Sequence, residues 1–372
     1  MQRSWFISAN MIWFGFFALA IWVLATFAPQ IASRSLKSNE RVIEDMTGQS
    51  VYFSGILQKA LIYVPFSYHY MTVDESSEHI LGVPGFIKLQ AEQSLLKKLF
   101  PGFLNETRTE ISNFAAPMGA ESILMSGADG VLVWSWTAVP LEAVQYPGLV
   151  KIHNQPGGEH GLFRLFGELT GKPGRVDWLL RRVDEQMARL HRSINFEALP
   201  VGVLVLSRDL FMWNANHVEF NQELERLNAY NQAREIKNNL AAINIEELLR
   251  FDPQVIFVVD YANPLRVGDI YANQILKNLP AVQNRRVYRI PRGGSFPNGL
   301  VEHPLFYMWM AQLIHPDLKL PVPLREEIKN AYREVYGYEI SEAELDDYLH
   351  LEENSQSSGY EIFVGNVART DF

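Results

Sequence analysis

Lys172 to Arg192 reads KPGRVDWLLRRVDEQMARLHR, and the organisation of the chain follows from it. Its apolar residues are Val176, Leu179, Leu180, Val183, Met187 and Leu190, at spacings of 3, 1, 3, 4 and 3. Such spacing traces one stripe along an α-helix. Gly171 and the Pro173-Gly174 pair mark its start, as a turn feeding a first helical position does. Periodicity alone leaves an ordinary surface helix open. What surrounds the segment argues for more than that. Strand-like apolar runs precede it at Ala60–Val64, Val131–Trp134 and Leu149–Ile152. Others follow at Val201–Leu206, Val255–Val259 and Val287–Ile290, with helical segments between. That alternation predicts an α/β fold with mainly parallel sheets. A long helix in mid-chain, flanked by α/β units, then reads as a strut between two lobes.

The expected boundaries are an N-terminal lobe over 41–172, an interlobe helix over 173–193 and a C-terminal lobe over 194–345. Residues 346–372 are acidic and then Ser-rich, and read as a mobile tail. RVIEDMTGQSVYF, from Arg41, holds two short β-prone runs around Met46-Thr47-Gly48, a hairpin pattern.

Composition narrows the function. The chain has 372 residues, a formal net charge of −9 and no cysteine. A net negative chain without clustered Lys and Arg is no partner for a phosphate backbone. The missing cysteine excludes disulfides, thiolate metal sites, a Cys nucleophile and a lipidated Cys anchor. At the N-terminus, Met11 to Ala28 (MIWFGFFALAIWVLATFA) follows Arg3 and is apolar apart from Thr26 and one glycine. This is a signal peptide within residues 1–35 or an uncleaved membrane anchor through residues 11–28. Either places the rest of the chain in the periplasm or on the extracytoplasmic face of the inner membrane.

Several segments resemble one family. RVIEDMTGQSVYF is similar to the opening hairpin of the substrate-binding proteins that serve ABC importers of iron-siderophores, haem, cobalamin and related chelates. GELTGKPGRVDWLLRRVDEQM resembles the entry to their interlobe helix. INIEELLRFDPQVIFVV resembles a helix-strand unit of their C-terminal lobe. LPAVQNRRVYRIPRGG resembles the next strand with its ligand loop, and EHPLFYMWMAQLIHPDLKL their closing helix. The resemblance covers most of residues 41–345 in order. It implies two α/β lobes joined by one long helix, with the ligand cleft between them, and a membrane permease as partner. It further implies that Glu121 and Glu246, each opening a short helix before a strand, dock the two lobes on that permease.

Ligands of α/β sheets sit at the carboxyl ends of strands. That rule selects five loops: Pro65–Tyr70, Trp134–Trp136, Ser207–Trp213, the Asp260-Tyr261 stretch and Arg292–Phe296. Their candidate ligand residues are Tyr68, His69, Tyr70, Trp134, Trp136, Arg208, Trp213, Tyr261, Arg292 and Phe296. Aromatic faces bury the surface of a chelate or macrocycle, and Arg forks meet its carboxylate or catecholate oxygens. Core packing is the competing role for each aromatic, and alternation along VLVWSW sends Trp134 and Trp136 to one side. Tyr68 and Tyr70, following Pro65, are expected to be exposed. No HxxxH or HExxH spacing appears among the nine histidines, so metal ligands stay unknown.

The reading is a non-enzymatic importer component that captures a metal chelate, foremost an Fe(III)-siderophore. Haem, cobalamin, a nickel chelate or molybdate are alternative ligands, and a membrane-tethered sensor or interaction domain is an alternative role. G-x-S-x-G, P-loop and G-x-G-x-x-G signatures are lacking. No resident cofactor is expected.

Overall fold

The computed structural model describes residues 40–106, 109–111, 119–138, 146–153, 158–206, 211–213, 218–236, 240–242, 245–259, 265–293 and 299–365. Val42–Phe372 is one compact unit, and apart from Arg41, the first residue of β1, it carries everything below. The expected leader or anchor lies outside the described residues. Among those described, no helix is long and apolar enough to cross a membrane.

Among the described residues, thirteen strands form three sheets. Strands β1 (Arg41–Glu44) and β2 (Ser50–Phe53) make the expected hairpin. Its turn places Gly48 at φ 82°, a conformation glycine adopts without cost. The N-terminal sheet has the order β5-β4-β3-β6-β7, from β3 (Ala60–Ile62), β4 (Ile80–Pro84), β5 (Thr109–Ile111), β6 (Gly130–Trp134) and β7 (Leu149–Ile152). All its pairings are parallel. The C-terminal sheet has the order β11-β9-β8-β12-β13, with β10 pairing β8. It uses β8 (Val201–Leu206), β9 (Phe211–Trp213), β10 (Ala229–Asn231), β11 (Leu240–Ala242), β12 (Val255–Val258) and β13 (Val287–Arg289). Strands β10, β8, β12 and β13 pair in parallel, and β9 and β11 add an antiparallel edge. The two-lobe α/β architecture expected from the alternation is the one observed. The expected strands recur, shortened at Ala60–Ile62, Val255–Val258 and Val287–Arg289. Strands β4, β5, β9, β10 and β11 were not anticipated.

The segment that opened the reading is one helix, Pro173–Arg192. Pro173 occupies its first turn, where a missing N–H costs nothing. Arg189, His191 and Arg192 sit in its last turn, where cations oppose the negative end of the helix dipole. At 1.5 Å per residue it is about 30 Å long. All six residues of the stripe are buried. They belong to one apolar core that runs without a break from β3 in the first sheet to β8 and β12 in the second. Helix Glu302–Ile314 joins that core, and is buried almost all round.

The expected mobile tail is corrected. Residues 342–363 form helices Glu342–Tyr348 and Leu351–Asn354 and a 3-10 turn, Tyr360–Phe363. Asn354, Tyr360 and Phe363 are buried. Asn354 Oδ1 accepts from Arg289 N at 2.6 Å and its Nδ2 donates to Arg289 O at 3.0 Å, so the segment is fastened to β13. A capping box starts it: Glu344 N donates to Ser341 Oγ, and Glu344 Oε2 accepts from Ser341 N. Polar composition hid a few widely spaced anchors. Residues 366–372 lie outside the described ones.

Candidate functional site

The carboxyl ends of β3, β6 and β7 lie side by side at one edge of the N-terminal sheet, since the three strands are parallel neighbours. Trp134 ends β6. Its ring meets Phe66 edge-on at 5.3 Å and stacks on Trp136 at 4.6 Å and 12°. Trp134 is half-buried, whereas Trp136 is 63% exposed. The same-side alternation of VLVWSW thus yields a flat aromatic shelf with one face open. Beside it, Ser135 Oγ and His153 Nδ1 are 2.8 Å apart, tying the residue after β6 to the residue after β7.

The expected exposed loop around Tyr68 is corrected. Ser67–Asp74 is a helix, and every one of its residues is buried. Tyr70 packs on Phe166 at 5.5 Å and His69 on Phe163 at 5.3 Å, both from helix Gly158–Thr170. Tyr70 is core, and burial pushes its phenol pKa well up. Tyr68 faces the other lobe. Its hydroxyl donates to Glu302 Oε1 at 2.9 Å, and it also meets the Tyr336 hydroxyl. Tyr332 donates to Glu302 Oε1 at 2.9 Å. Glu302 is 2% exposed and opens helix Glu302–Ile314. Burial first, and the Glu302 charge second, hold the pKa values of Tyr68 and Tyr336 well above that of a free phenol.

Arg292 follows β13, as expected. It is half-buried, and its Nη1 donates to Gln93 O of the N-terminal lobe at 3.2 Å. Gly293 next to it has no room for a Cβ unless Glu302 shifts. A Cβ there would stand 2.7 Å from Glu302 Cγ and 3.1 Å from the Tyr332 hydroxyl. Arg208, Tyr261 and Phe296 lie outside the described residues. Trp213 ends β9, and only its backbone is described.

No sequence spacing pointed to a histidine-carboxylate group beside the long helix. His160 Nε2 is 3.6 Å from Asp184 Oδ1, and His191 Nε2 is 2.9 Å from Glu223 Oε2. His303 lies within electrostatic reach of Glu223, His160 and His191. Burial pushes its pKa down to about 4, opposed by Glu223 and helped by the other two imidazoles. Burial alone would raise the Glu223 carboxyl, but the His191 hydrogen bond and the Arg226 charge outweigh it and hold the pKa low. These residues are scattered over four helices, so no spacing motif announces them. Among the described residues no group of three His, Asp or Glu could hold a metal ion.

Glu121 and Glu246 are both exposed, each in the first turn of a short helix, Ala120–Ser126 and Ile245–Phe251. The first helix leads into β6 and the second into β12. Strand β6 lies between β3 and β7, as β12 lies between β8 and β13. The two acids therefore hold equivalent places in the two lobes. Leu124 and Met125 on the first helix and Leu249 on the second are exposed beside them.

A separate cavity of about 680 Å³ lies against the C-terminal helices, lined by Arg266, Asp346, Asp347, His350, Glu352 and Glu353. Four carboxylates make it unsuited to an anionic chelate.

A family model described as periplasmic binding protein matches residues 160–292. Among solved structures, a periplasmic solute binding protein from Veillonella parvula is 26% identical, with a TM-score of 0.76 over 85% of this chain and 99% of that one. MolA, the molybdate periplasmic binding protein of a Haemophilus influenzae ABC transporter, is 19% identical, with a TM-score of 0.67 over 81% and 99%. Helicobacter pylori CeuE, in complex with Ni-His, is 16% identical, with a TM-score of 0.64 over 83% and 99%. No curated protein matches the chain. The matched segment and the two-lobe fold are those of periplasmic binding proteins.

Proposed function

We propose that this chain, built as a periplasmic binding protein, is the substrate-binding component of an ABC importer for a metal chelate, foremost an Fe(III)-siderophore. The observation that carries this reading is the Phe66–Trp134–Trp136 shelf at the carboxyl ends of the N-terminal strands, with Trp136 63% exposed. A flat, open aromatic face suits a large planar ligand. A small oxyanion needs backbone N–H groups and leaves such a face unused. Arg292 and Arg208 supply charge for catecholate or carboxylate oxygens, Arg292 after giving up its bond to Gln93.

Capture is reversible and involves no covalent step. The loaded protein meets its permease through Glu121 and Glu246, whose equivalent placement in two lobes orients the encounter. The matched family and the apolar run at residues 11–28 support work outside the cytoplasm.

Tryptophan fluorescence of residues 36–372 tests the reading. The protein is titrated with ferric siderophores, haem, cobalamin, nickel-histidine and molybdate. Saturable quenching at micromolar or tighter affinity by a ferric siderophore is expected. A response to molybdate alone, or to nothing in the panel, overturns the chelate assignment.

A further inference from the structure

The long helix is not the only rod between the lobes. Helix Leu324–Tyr336 runs beside it in the opposite direction. Arg182 Nε pairs with Glu334 Oε2 at 2.9 Å. Further along, Gln186 Nε2 donates to Glu327 Oε2 at 3.1 Å, and Arg189 Nη2 meets Glu327 Oε1 at 3.3 Å. Gln186 and Glu327 are both buried, so the bond between them is no loose surface pair, while the two arginine pairs lie at the rim.

This second rod touches both lobes. At its C-terminal end, the Tyr336 hydroxyl lies 3.2 Å from Thr72 Oγ1 and touches Tyr68, and its ring meets Phe100 edge-on at 6.0 Å. Arg175 donates to Val335 O and to Thr72 O, both at 2.9 Å. Its body is fixed to the C-terminal lobe by Tyr332 on Glu302. Gly337, at φ 63°, ends the rod with the chain reversed, its N–H donating to Arg333 O at 2.9 Å. The segment after it keeps touching the N-terminal lobe. Glu344 accepts from Tyr338 at 2.5 Å and pairs with Lys98 of the N-terminal lobe.

We propose that helix Leu324–Tyr336 is a second interlobe strut, latched to the N-terminal lobe by Tyr336, Thr72 and the Tyr68–Glu302 bond, and that lobe spacing is set by both rods. A single helix between lobes permits bending and twisting about its ends. Two cross-linked antiparallel rods leave only small sliding motions, the shear mode of packed helices. The cleft is thus held near one width, with or without ligand. This inference does not depend on what the ligand is.

The cysteine-free chain makes the test direct. Ser122→Cys and Lys277→Cys, exposed positions in opposite lobes, carry spin labels, and the distance distribution is read by pulsed electron resonance without added ligand. One narrow peak is expected in the parent. Tyr336→Ala should broaden that peak or shift it by several ångströms. Should Tyr336→Ala fail to fold, the pair Lys98→Ala with Arg182→Ala removes one rim contact of the strut and one of the segment that follows it, and the same broadening is expected. A broad peak in the parent overturns the proposal. So does a peak left narrow and unmoved in a folded Tyr336→Ala, or, where that variant does not fold, in the rim pair.

Discussion

Tyr68 and Glu302 lie 234 residues apart in the chain and share a hydrogen bond of 2.9 Å, the phenol donating to the carboxylate. The contact joins the first turn of a helix in one lobe to the first turn of a helix in the other. It turns a residue expected to touch ligand into one that touches the opposite lobe.

Tyr68→Phe should therefore destabilise the protein. Both partners are buried, and a lost hydrogen bond to a buried charged group costs about 1.5–3 kcal/mol. Urea denaturation checks it: a lower midpoint with an unchanged slope is expected, and an unmoved midpoint counts against the bond.

Gly293→Ala tests the same region from the backbone side. The added methyl would meet Glu302 Cγ at 2.7 Å, and overpacking of this kind costs about 1–3 kcal/mol. Thermal melting should show a clear drop in Tm. A parent-like Tm would mean that Glu302 yields easily.

Trp136→Ala separates binding from folding. The side chain is 63% exposed, so stability should change by less than about 0.5 kcal/mol. Affinity for a planar chelate should fall by about 0.5–1.5 kcal/mol, the worth of an aromatic contact. Titration calorimetry with the responding chelate reads this; unchanged affinity removes the shelf from the site.

Arg292→Ala should weaken an anionic ligand by about 1–3 kcal/mol, the range for a lost charge-assisted bond. Binding of a neutral chelate should be spared. Equal affinity for the anionic ligand in parent and variant would confine Arg292 to its contact with Gln93.

His303 makes stability depend on pH. Its folded pKa is pushed down to about 4 from 6.5. Below pH 6.5 the unfolded chain takes up a proton that the folded protein refuses. Stability then falls as pH drops from 6.5 towards 4. Glu223, also held low, erodes in the same direction at more acidic pH. His303→Phe keeps a ring near Tyr307, which His303 meets at 4.9 Å. It should remove on the order of 2 kcal/mol of the acid loss between pH 7 and 4.5. Urea midpoints at the two pH values measure it; parallel losses in both proteins would exonerate His303.

The fold was legible where one physical signal dominated. Val201–Leu206 and Leu149–Ile152 are apolar runs bounded by turn residues, and both are strands over those residues. The stripe of the long helix was legible because each member is buried. Ser67–Asp74 was misread because Pro65 and the polar letters around it suggest a loop. What decides there is tertiary: neighbours from both lobes cover every face of a helix with no amphipathic pattern of its own. The shelf was legible in part, since alternation gave Trp134 and Trp136 a common side. The histidine group was not, because residues 160, 191, 223 and 303 meet only after both lobes form.

The position of Tyr336 also sets an order of assembly. Helix Ser67–Asp74 is complete early in synthesis, yet its covering residues Glu302, Tyr332 and Tyr336 are made last. At 5–20 residues per second, the roughly 230 residues between them take on the order of 10–50 s. Through that interval Tyr68 and Thr72 lack the partners that Glu302 and Tyr336 give them in the finished protein. A chain cut before Leu324 lacks Tyr336 and would leave the Tyr68 and Thr72 hydroxyls without that partner.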